Sequence, residues 1–302
     1  MQTLKQSIIT LHITVLVWGF TGILGALISV NEYQLVWYRV LIAVLSLGMY
    51  CKIKNISLKA DVKPILKLLG TGLILGLHWI LFFGAIKVSN ISVTMICLSS
   101  LTLFTSILEP IINRVKIAKL EVLVGLSIIV GMYIIFKFES YYIKGIIMGL
   151  SSALMASLFT IINSKQIKNR NAIVISYYEL LGAFLGISLY LLIKNGTHQN
   201  FYLPVNDVIY LFILGTLCTS VAFVYGVNVM QNLSAFRVVL ITNLEPVYAI
   251  IMALLIFGKT EQMSNQFYLG AFIILISIFI YPILKRKIND SVKFTHLNKN
   301  KI

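Results

Sequence analysis

The sequence predicts an all-α membrane protein of about ten transmembrane helices, arranged as two inverted five-helix repeats. Three observations predict this fold class: the composition, the length of the apolar runs, and a weak similarity between the two halves of the chain. Of the 302 residues, 59% are hydrophobic and 12% are charged, whereas a typical soluble domain is about 25% charged. Because a water-soluble fold cannot hide so much apolar surface, lipid is the expected solvent for most of the chain.

Ten apolar runs are long enough to cross the hydrocarbon core of a bilayer, which takes about 20 residues of helix. The runs are too long and too uniformly apolar for barrel strands, and backbone groups in lipid must be paired within their own segment, so helices are expected. The first run exceeds the apolar stretch of a signal peptide and lacks its cleavage pattern, so it is expected to stay as a span. The runs cover residues 8–30, 33–51, 65–86, 90–112, 120–136, 143–163, 172–193, 207–230, 234–257 and 267–284.

The positive charge is distributed unevenly between the two sides of the predicted bundle. The formal net charge of +15 comes from 25 Lys and Arg against 10 acidic residues. With a cytoplasmic amino terminus, nineteen of the cations lie on the cytoplasmic side, five on the other side, and only Arg39 inside a span. This asymmetry predicts both termini inside, and it accounts for the charge by contact with anionic lipid, without a nucleic-acid partner. The expected location is a bacterial cytoplasmic membrane. The polar tail 286–302 is expected to be disordered.

The two halves, residues 1–138 and 139–285, align weakly with each other. Gly84, Asn90, Ser92 and Leu98 match Gly226, Asn232, Ser234 and Leu240 at a constant offset of 142, and WYRVLIAVL (37–45) resembles YYELLGAFL (177–185). Each half contains five spans, an odd number, so the second half is expected to be inverted relative to the first. Inverted repeats of this kind are a feature of secondary transporters, whose substrate site lies near the midplane between the halves.

Five segments carry a resemblance to a known family. They are Trp18-Gly19, RVLIA opening at Arg39, GAIKVSNISV (84–93), NLEPVYAIIMALLIFG (243–258) and YLGAFIILISI (268–278). In this order and spacing they resemble the EamA family of the drug/metabolite transporter superfamily, over residues 7–285. The resemblance implies ten helices with both ends inside, and a secondary carrier that exports or exchanges amino acids, purines, sugars, aromatic compounds or vitamins. It does not identify the substrate.

The first repeat departs from the family pattern at two places. The acidic residue that usually follows the last-but-one span of a repeat is Glu261 in the second half, but Lys116 stands at the corresponding place in the first. Phe104 occupies the position equivalent to Pro246, and a Glu109-Pro110 pair follows five residues later. The equivalents of the second repeat's residues in the first repeat are therefore left open.

Glu245 is the leading candidate among four ionisable residues inside spans, each of which costs about 2.5 to 3.5 kcal/mol on insertion scales. It comes eleven residues into its run, which at about 1.5 Å per residue places it roughly 16 Å deep, near the midplane. Pro246 removes a helical donor next to Thr242 and Asn243, so a carboxylate beside a broken helix is expected, able to bind a substrate amine or a proton. The alternative is a buried Glu with a packing role only.

The other three intramembrane charges are Arg39, Glu179 and Glu109. Arg39 lies about 10 Å deep by helical rise and either points into a central cavity or snorkels outward. Glu179 lies about as deep from the opposite face, so the two are not expected to pair with each other. For Glu109 a local pair with Asn113 or Arg114 is the preferred interpretation.

Aromatic and small residues complete the set of candidates. Trp18 and Tyr248 are candidates for the lining of a cavity, with the lipid interface as the alternative. The candidate substrate-binding or proton-binding residues are thus Glu245, Asn243, Arg39, Glu179, Trp18 and Tyr248. Glycine pairs four residues apart, at 72/76, 145/149 and 182/186, predict close helix contacts.

The sequence contains no phosphate loop and no His-x-x-x-His or Cys-x-x-Cys pair, so an enzyme, a metal site and a cofactor are not expected. The expected partners are a small solute and membrane lipid, and a homodimer is left open. The leading hypothesis, supported by the resemblance, is a permease that works by alternating access, proton-coupled or exchanging, with export favoured. A non-transporting membrane binding or scaffold protein and a lipid flippase of the same superfamily are the alternatives.

Overall fold

The computed structural model describes residues 3–114, 119–195 and 202–299, and within these ranges the chain is helical and contains no strand. The helices are α1 Leu4–Leu27, α2 Glu32–Ile53, α3 Val62–Val88, α4 Ile91–Leu98, α5 Leu101–Asn113, α6 Lys119–Phe138, α7 Ile143–Gln166, α8 Ala172–Asn195, α9 Val205–Gly215, α10 Ala222–Asn228, α11 Ala235–Thr242, α12 Leu244–Phe257 and α13 Asn265–Lys299. A π-helical segment, Thr216–Val221, joins α9 to α10, and short 3-10 turns occur at Ser140–Tyr142, Val229–Gln231 and Gly258–Glu261.

These helices account for the ten predicted spans. Eight helical segments in the described part of the chain are long and apolar enough to cross a membrane, and Leu123–Phe138 and Asn265–Tyr281 are two shorter apolar helices. Three of the eight are composite, because α4 with α5, α9 with α10, and α11 with α12 each form one span. The prediction of an all-α fold with about ten membrane helices is confirmed.

Two of the composite spans are interrupted at equivalent places in the two repeats. α11 ends at Thr242 and α12 begins at Leu244, where the position of Pro246 predicts a break. The proline occupies the third residue of α12, where its missing N–H has no helical acceptor to lose. In the first repeat, Ser99 and Ser100 form a tight turn between α4 and α5, and the Ser100 hydroxyl donates to the Cys97 carbonyl at 2.7 Å.

The two repeats are packed into one bundle. α3 packs against α7 and α8, while α1 and α4 pack against α12 and α6 packs against α13. A large apolar core runs through the middle of the bundle. A second, smaller core joins α4, α6 and α13 around Ile128, Phe267 and Ile274. These cross-repeat contacts bring residues from both halves around a common centre.

The crossing of α3 and α8 depends on the predicted glycines. A Cβ atom on Gly72 would lie 2.1 Å from the Glu179 carbonyl oxygen, and one on Gly182 would lie 2.3 Å from the Leu69 carbonyl oxygen. Real Cβ atoms do not approach backbone oxygen so closely, so these positions accept no larger residue without a shift of the helices. The close contact that the glycine spacing predicts is confirmed for this helix pair.

We expect Gly182→Ala to lower the thermal unfolding midpoint of the purified protein, because the added methyl group forces α3 and α8 apart. Overpacking of this kind costs about 1 to 3 kcal/mol. Gly70→Ala is the matched control, since a Cβ atom at Gly70 would meet nothing within 4 Å. Thermal unfolding of both variants in detergent checks the prediction, and equal midpoints for the two would contradict the observed crossing.

The carboxyl end of the chain differs from the expectation. The sequence predicts a disordered tail over 286–302, whereas α13 continues as a helix through Lys299. After Pro282 the chain contains neither Gly nor Pro, so nothing local ends the helix beyond the apolar run. Residues 300–302 and Lys116 lie outside the described residues.

Candidate functional site

A cavity lies between the two repeats, and residues from both halves line it. Its wall is mostly apolar, with a few polar groups, as in sites for small organic ligands. The aromatic lining residues are Trp18, Trp79, Phe82, Phe159 and Phe223. The polar ones are Thr21, Arg39, His78, Thr160, Asn163, Thr242 and Glu245.

Arg39 points into this cavity from α2 and is 2% exposed. Its Nε donates to the Thr219 hydroxyl at 2.6 Å, and its guanidinium carbon lies 4.1 Å from the ring centre of Trp79. Stacking on an indole face stabilises a desolvated guanidinium. Of the two orientations that the sequence allows, the structure therefore shows the cavity-facing one and not outward snorkelling.

The π-helical segment presents the partner of Arg39. Thr219 lies within it and also donates its hydroxyl to the Leu214 carbonyl at 2.6 Å. Just before the segment, a Cβ atom on Gly215 would lie 2.7 Å from Ile42 Cβ, so the absence of a side chain lets α9 approach α2. Single π turns of this kind recur at functional sites. In the sequence, only the run of small polar residues after Gly215 hints at the segment.

Glu245 lies in the first turn of α12, where the helix dipole favours a carboxylate. It is 6% exposed and lines the cavity. Among the described residues its side chain makes no hydrogen bond or ion pair, although it shares the cavity with Arg39. Arg39 and Glu245 attract each other electrostatically, but no hydrogen bond or ion pair joins them, so each remains available to a ligand.

The remaining candidates from α11 and α12 have supporting positions. Asn243 is buried, and its amide donates to the Thr102 hydroxyl and, at 2.8 Å, to the Val239 carbonyl. It thereby ties the interruption in one repeat to the start of α5 in the other, and it does not line the cavity. Tyr248 also lies outside the lining, and its Cβ lies close to Gly19 of α1.

Trp18 does line the cavity, and it lies against Gly226 of α10. A Cβ atom at Gly226 would come within 2.6 Å of the indole ring. The glycine thus leaves room for the ring between the repeats. Of the two readings that the sequence leaves open, the cavity wall and the lipid interface, the structure shows the first.

Glu179 does not line the cavity but contacts a side chain that does. It is fully buried, and its Oε2 accepts a hydrogen bond from Asn163 Nδ2 at 2.9 Å. Asn163 in turn lines the cavity. As expected from their depths, Arg39 and Glu179 have different partners. Asn163 was not predicted as a site residue, although a polar residue three positions after Thr160 in an apolar run indicates a buried polar site in the sequence.

Two carboxylates each cap a helix of the opposite repeat. Glu261 accepts from the backbone N–H groups of Ile91 at 3.0 Å and Ser92 at 2.9 Å, at the start of α4. Glu109 accepts from Phe236 N–H at 3.0 Å, at the start of α11. The first N–H groups of a helix lack internal partners and attract a carboxylate. Successive spans alternate in direction, so the two caps lie at opposite ends of the bundle.

The cap made by Glu109 was not visible in the sequence, where a local pair with Asn113 or Arg114 is the preferred interpretation. The structure places the Glu109 carboxylate against α11, 127 residues along the chain. Helical spacing reports only on neighbours in the same helix, so it cannot reveal a partner in the other repeat. Together the two caps join the composite spans of both halves.

We expect Glu261→Ala to destabilise the protein by about 1 to 3 kcal/mol, because two buried backbone N–H groups lose their acceptor. Asp61→Ala is the matched control, since Asp61 also precedes a helix but its side chain makes no capping bond. Thermal unfolding of the purified variants checks the prediction. If Asp61→Ala lowered the midpoint as much as Glu261→Ala, the cap would have no special role.

The described residues contain no group of three or more His, Cys, Asp or Glu that could hold a metal ion. Cys51, Cys97 and Cys218 are free and buried. The polar chemistry that the cavity offers is therefore one cation, one carboxylate, an imidazole and several hydroxyl and amide groups. Such a set suits reversible binding of a small charged organic molecule.

An apolar bundle of two repeats around a shared, charged cavity defines a membrane protein of the transporter class. The EamA-like transporter family matches this chain twice, over residues 5–137 and 143–281. The chain belongs to the EamA-like transporter family and so to the drug/metabolite transporter superfamily. No curated protein matches the chain. One solved structure, titled only "Crystal structure of protein", matches with a TM-score of 0.69 and 13% identity, over 93% of this chain and 99% of that one, which shows the fold alone.

Proposed function

We propose that this protein is a secondary transporter that moves small organic metabolites, amino acids or related compounds, across the bacterial cytoplasmic membrane by alternating access. The observation that carries the proposal is the shared cavity, which both Arg39 and Glu245 line with no hydrogen bond or ion pair between them. Charged groups inside a membrane protein are costly and are retained for binding or coupling. A ligand that satisfies both charges recovers part of that cost.

The cavity chemistry fits a zwitterion. The Arg39 guanidinium is a fixed cation that suits a carboxylate. The Glu245 carboxylate suits an ammonium group on the same solute. The rings of Trp79 and Phe223 offer an apolar wall for a side chain, and their edge-to-face contact, with centroids 6.2 Å apart, keeps that wall ordered.

The other residues of the proposed site have distinct roles. Trp18 forms another part of the wall. Asn243 holds the interruption between α11 and α12 against α5, and Tyr248 positions α12 on α1. Glu179, behind Asn163, is placed to exchange a proton with the cavity. Solute movement is driven by protons or by exchange, with export as the favoured direction.

The membrane arrangement of the proposal follows the distribution of charge. Both termini are cytoplasmic, because nineteen cations fall on that side against five on the other. The chain contacts lipid and a small solute, it binds no nucleic acid, and a homodimer is compatible with the exposed apolar helix faces. Alternating access moves one repeat against the other around the fixed site.

Thermal stability in lipid nanodiscs tests the solute class. The purified protein is heated with each common amino acid, and with analogues of the best ones that lack either the ammonium or the carboxylate. We expect a subset of amino acids to raise the unfolding midpoint, and both kinds of analogue to lose the effect. Stabilisation by phospholipid headgroup compounds instead, with none by amino acids, would contradict the proposal and favour a flippase.

A further inference from the structure

Glu179 and Asn163 form an incomplete hydrogen-bonded pair inside the bundle. Both side chains are fully buried. Asn163 Nδ2 donates to Glu179 Oε2 at 2.9 Å. The second oxygen of each group, Glu179 Oε1 and Asn163 Oδ1, has no hydrogen-bond partner. Buried polar atoms are seldom left unpaired, so two of them on one interacting pair call for an explanation.

Two donors on the same helices, Gln166 Nε2 and Ser176 Oγ, are also unpaired, but neither donates to these oxygens. A single proton would pair both oxygens within the existing contact. A carboxylic acid and a primary amide can form a cyclic pair, in which the amide N–H donates to one acid oxygen and the acid O–H donates to the amide oxygen. The first of these bonds is present between Asn163 and Glu179. The second needs a hydrogen between two atoms that are both acceptors while Glu179 is ionised.

We propose that Glu179 is a proton-binding site, and that its bound proton is held in a cyclic acid–amide pair with Asn163. Calling it the coupling site of a carrier rests on the proposed function, but the proton site itself does not. The step involves only the addition of a proton to Oε1 and its loss to water or solute in the cavity, so charge and atoms balance without a further reactant.

The surroundings of Glu179 contain no compensating cation among the described residues. Helices α2, α3 and α10 pack against α8. On α2, on α3 and after α7, the titratable side chains that are not exposed are Glu32, Tyr33, Tyr38, Arg39, Cys51, His78, Lys87 and Arg170. The partners of Arg39 are Thr219 and Trp79, and not Glu179. His78 Nδ1 is bonded at Ser152, and Arg170 donates to Gln166. On α8 itself, the half-buried Tyr178 donates to the Leu58 carbonyl at 2.8 Å, and Tyr177 is also half-buried. An ionised carboxylate there would be buried without a counter-ion, which is costly.

The position of the pair connects the proton to the solute site. Asn163 lines the cavity, so its amide separates Glu179 from the space that holds the solute. The backbone of Glu179 lies against Gly72, at the tight crossing of α3 and α8. Loss of the proton leaves both oxygens without a donor, one on α7 and one on α8. Protonation therefore favours the arrangement in which these helices are joined.

Infrared difference spectroscopy tests the proton site without a solute. Purified protein in nanodiscs is titrated from acid to alkaline pH, and the carbonyl stretch of protonated carboxyl groups is recorded. We expect a band of a hydrogen-bonded acid at neutral pH that is lost in Glu179→Gln and retained in Glu139→Gln, the matched control for a buried carboxylate outside the cavity. In Asn163→Leu the band should shift to higher frequency, because the acid loses its amide partner. Size-exclusion profiles check that each variant is folded.

A spectrum of Glu179→Gln identical to that of the wild type at every pH would overturn the proposal. So would an unshifted band in Asn163→Leu. If the band behaves as expected but the wild type transports no solute, the proposed function fails and the proton site stands. If solute exchange occurs but no carboxyl band depends on Glu179, the transporter stands and the proton site fails.

Discussion

Glu245→Gln is expected to reduce solute transport by at least a factor of roughly ten in proteoliposomes, with the fold intact. The substitution keeps the size of the side chain and removes its charge. In the proposed complex the Glu245 carboxylate pairs with the ammonium group of the solute in a desolvated cavity, and losing one partner of such a pair costs about 2 to 5 kcal/mol. Uptake of the stabilising amino acid, measured at equal protein content, checks this expectation.

Glu139→Gln is the matched control for a buried carboxylate outside the cavity. Glu139 is 8% exposed, and its Oε1 accepts from the Ser264 N–H at 3.2 Å and from the Ser264 hydroxyl at 2.6 Å. Glutamine preserves this acceptor, so transport should remain close to the wild-type rate. Equal losses in both variants would show that the effect of Glu245→Gln reflects a general need for buried carboxylates and not a solute contact.

Arg39→Met is the second substitution with a large expected effect. Methionine fills a similar volume against Trp79 but supplies no cation, so the carboxylate of the solute loses its partner and transport falls by at least roughly tenfold. Arg39→Lys should retain part of the activity. It keeps the charge but not the planar group stacked on the indole or the Nε–H bonded to Thr219. Uptake by proteoliposomes at several solute concentrations checks that transport decreases in the order wild type, Arg39→Lys, Arg39→Met.

Two further variants separate the charge of Arg39 from its positioning. Thr219→Val removes the hydroxyl that accepts from Arg39 Nε, so the half-saturating concentration should rise while the charge remains. Lys87→Met removes a cation outside the cavity, where Lys87 donates to the Ile28 carbonyl at 2.9 Å. A loss of transport in Lys87→Met as large as in Arg39→Met would remove the argument for a specific role of Arg39.

Part of the site can be predicted from the sequence, because a charged residue inside a membrane span is energetically costly at any position in the span. That rule selects Arg39 and Glu245, and the structure brings both to one cavity. Depth along a helix does not tell which way a side chain points around the helix axis. For that reason Asn243 and Tyr248, next to Glu245 in the chain, are found in packing positions beside the cavity and not in its lining.

Other features depend on contacts between the repeats, which a single sequence does not record. The interruption at Ser99 and Ser100 has no proline to announce it, unlike the one before Pro246. The caps formed by Glu109 and Glu261 join residues far apart in the chain. In each case a backbone or hydroxyl group finds its hydrogen-bond partner only after the helices have packed.

Metabolite profiling in cells tests transport by this protein without a prior choice of solute. Wild type, Glu245→Gln and Glu139→Gln are expressed at equal, verified membrane levels, and small metabolites in cells and medium are quantified by mass spectrometry at two external pH values. We expect one class of amino acids or related compounds to shift between cells and medium with the wild type and with Glu139→Gln, and to return to the distribution of cells without the protein with Glu245→Gln. The same distribution for all three proteins and for cells without them would contradict it.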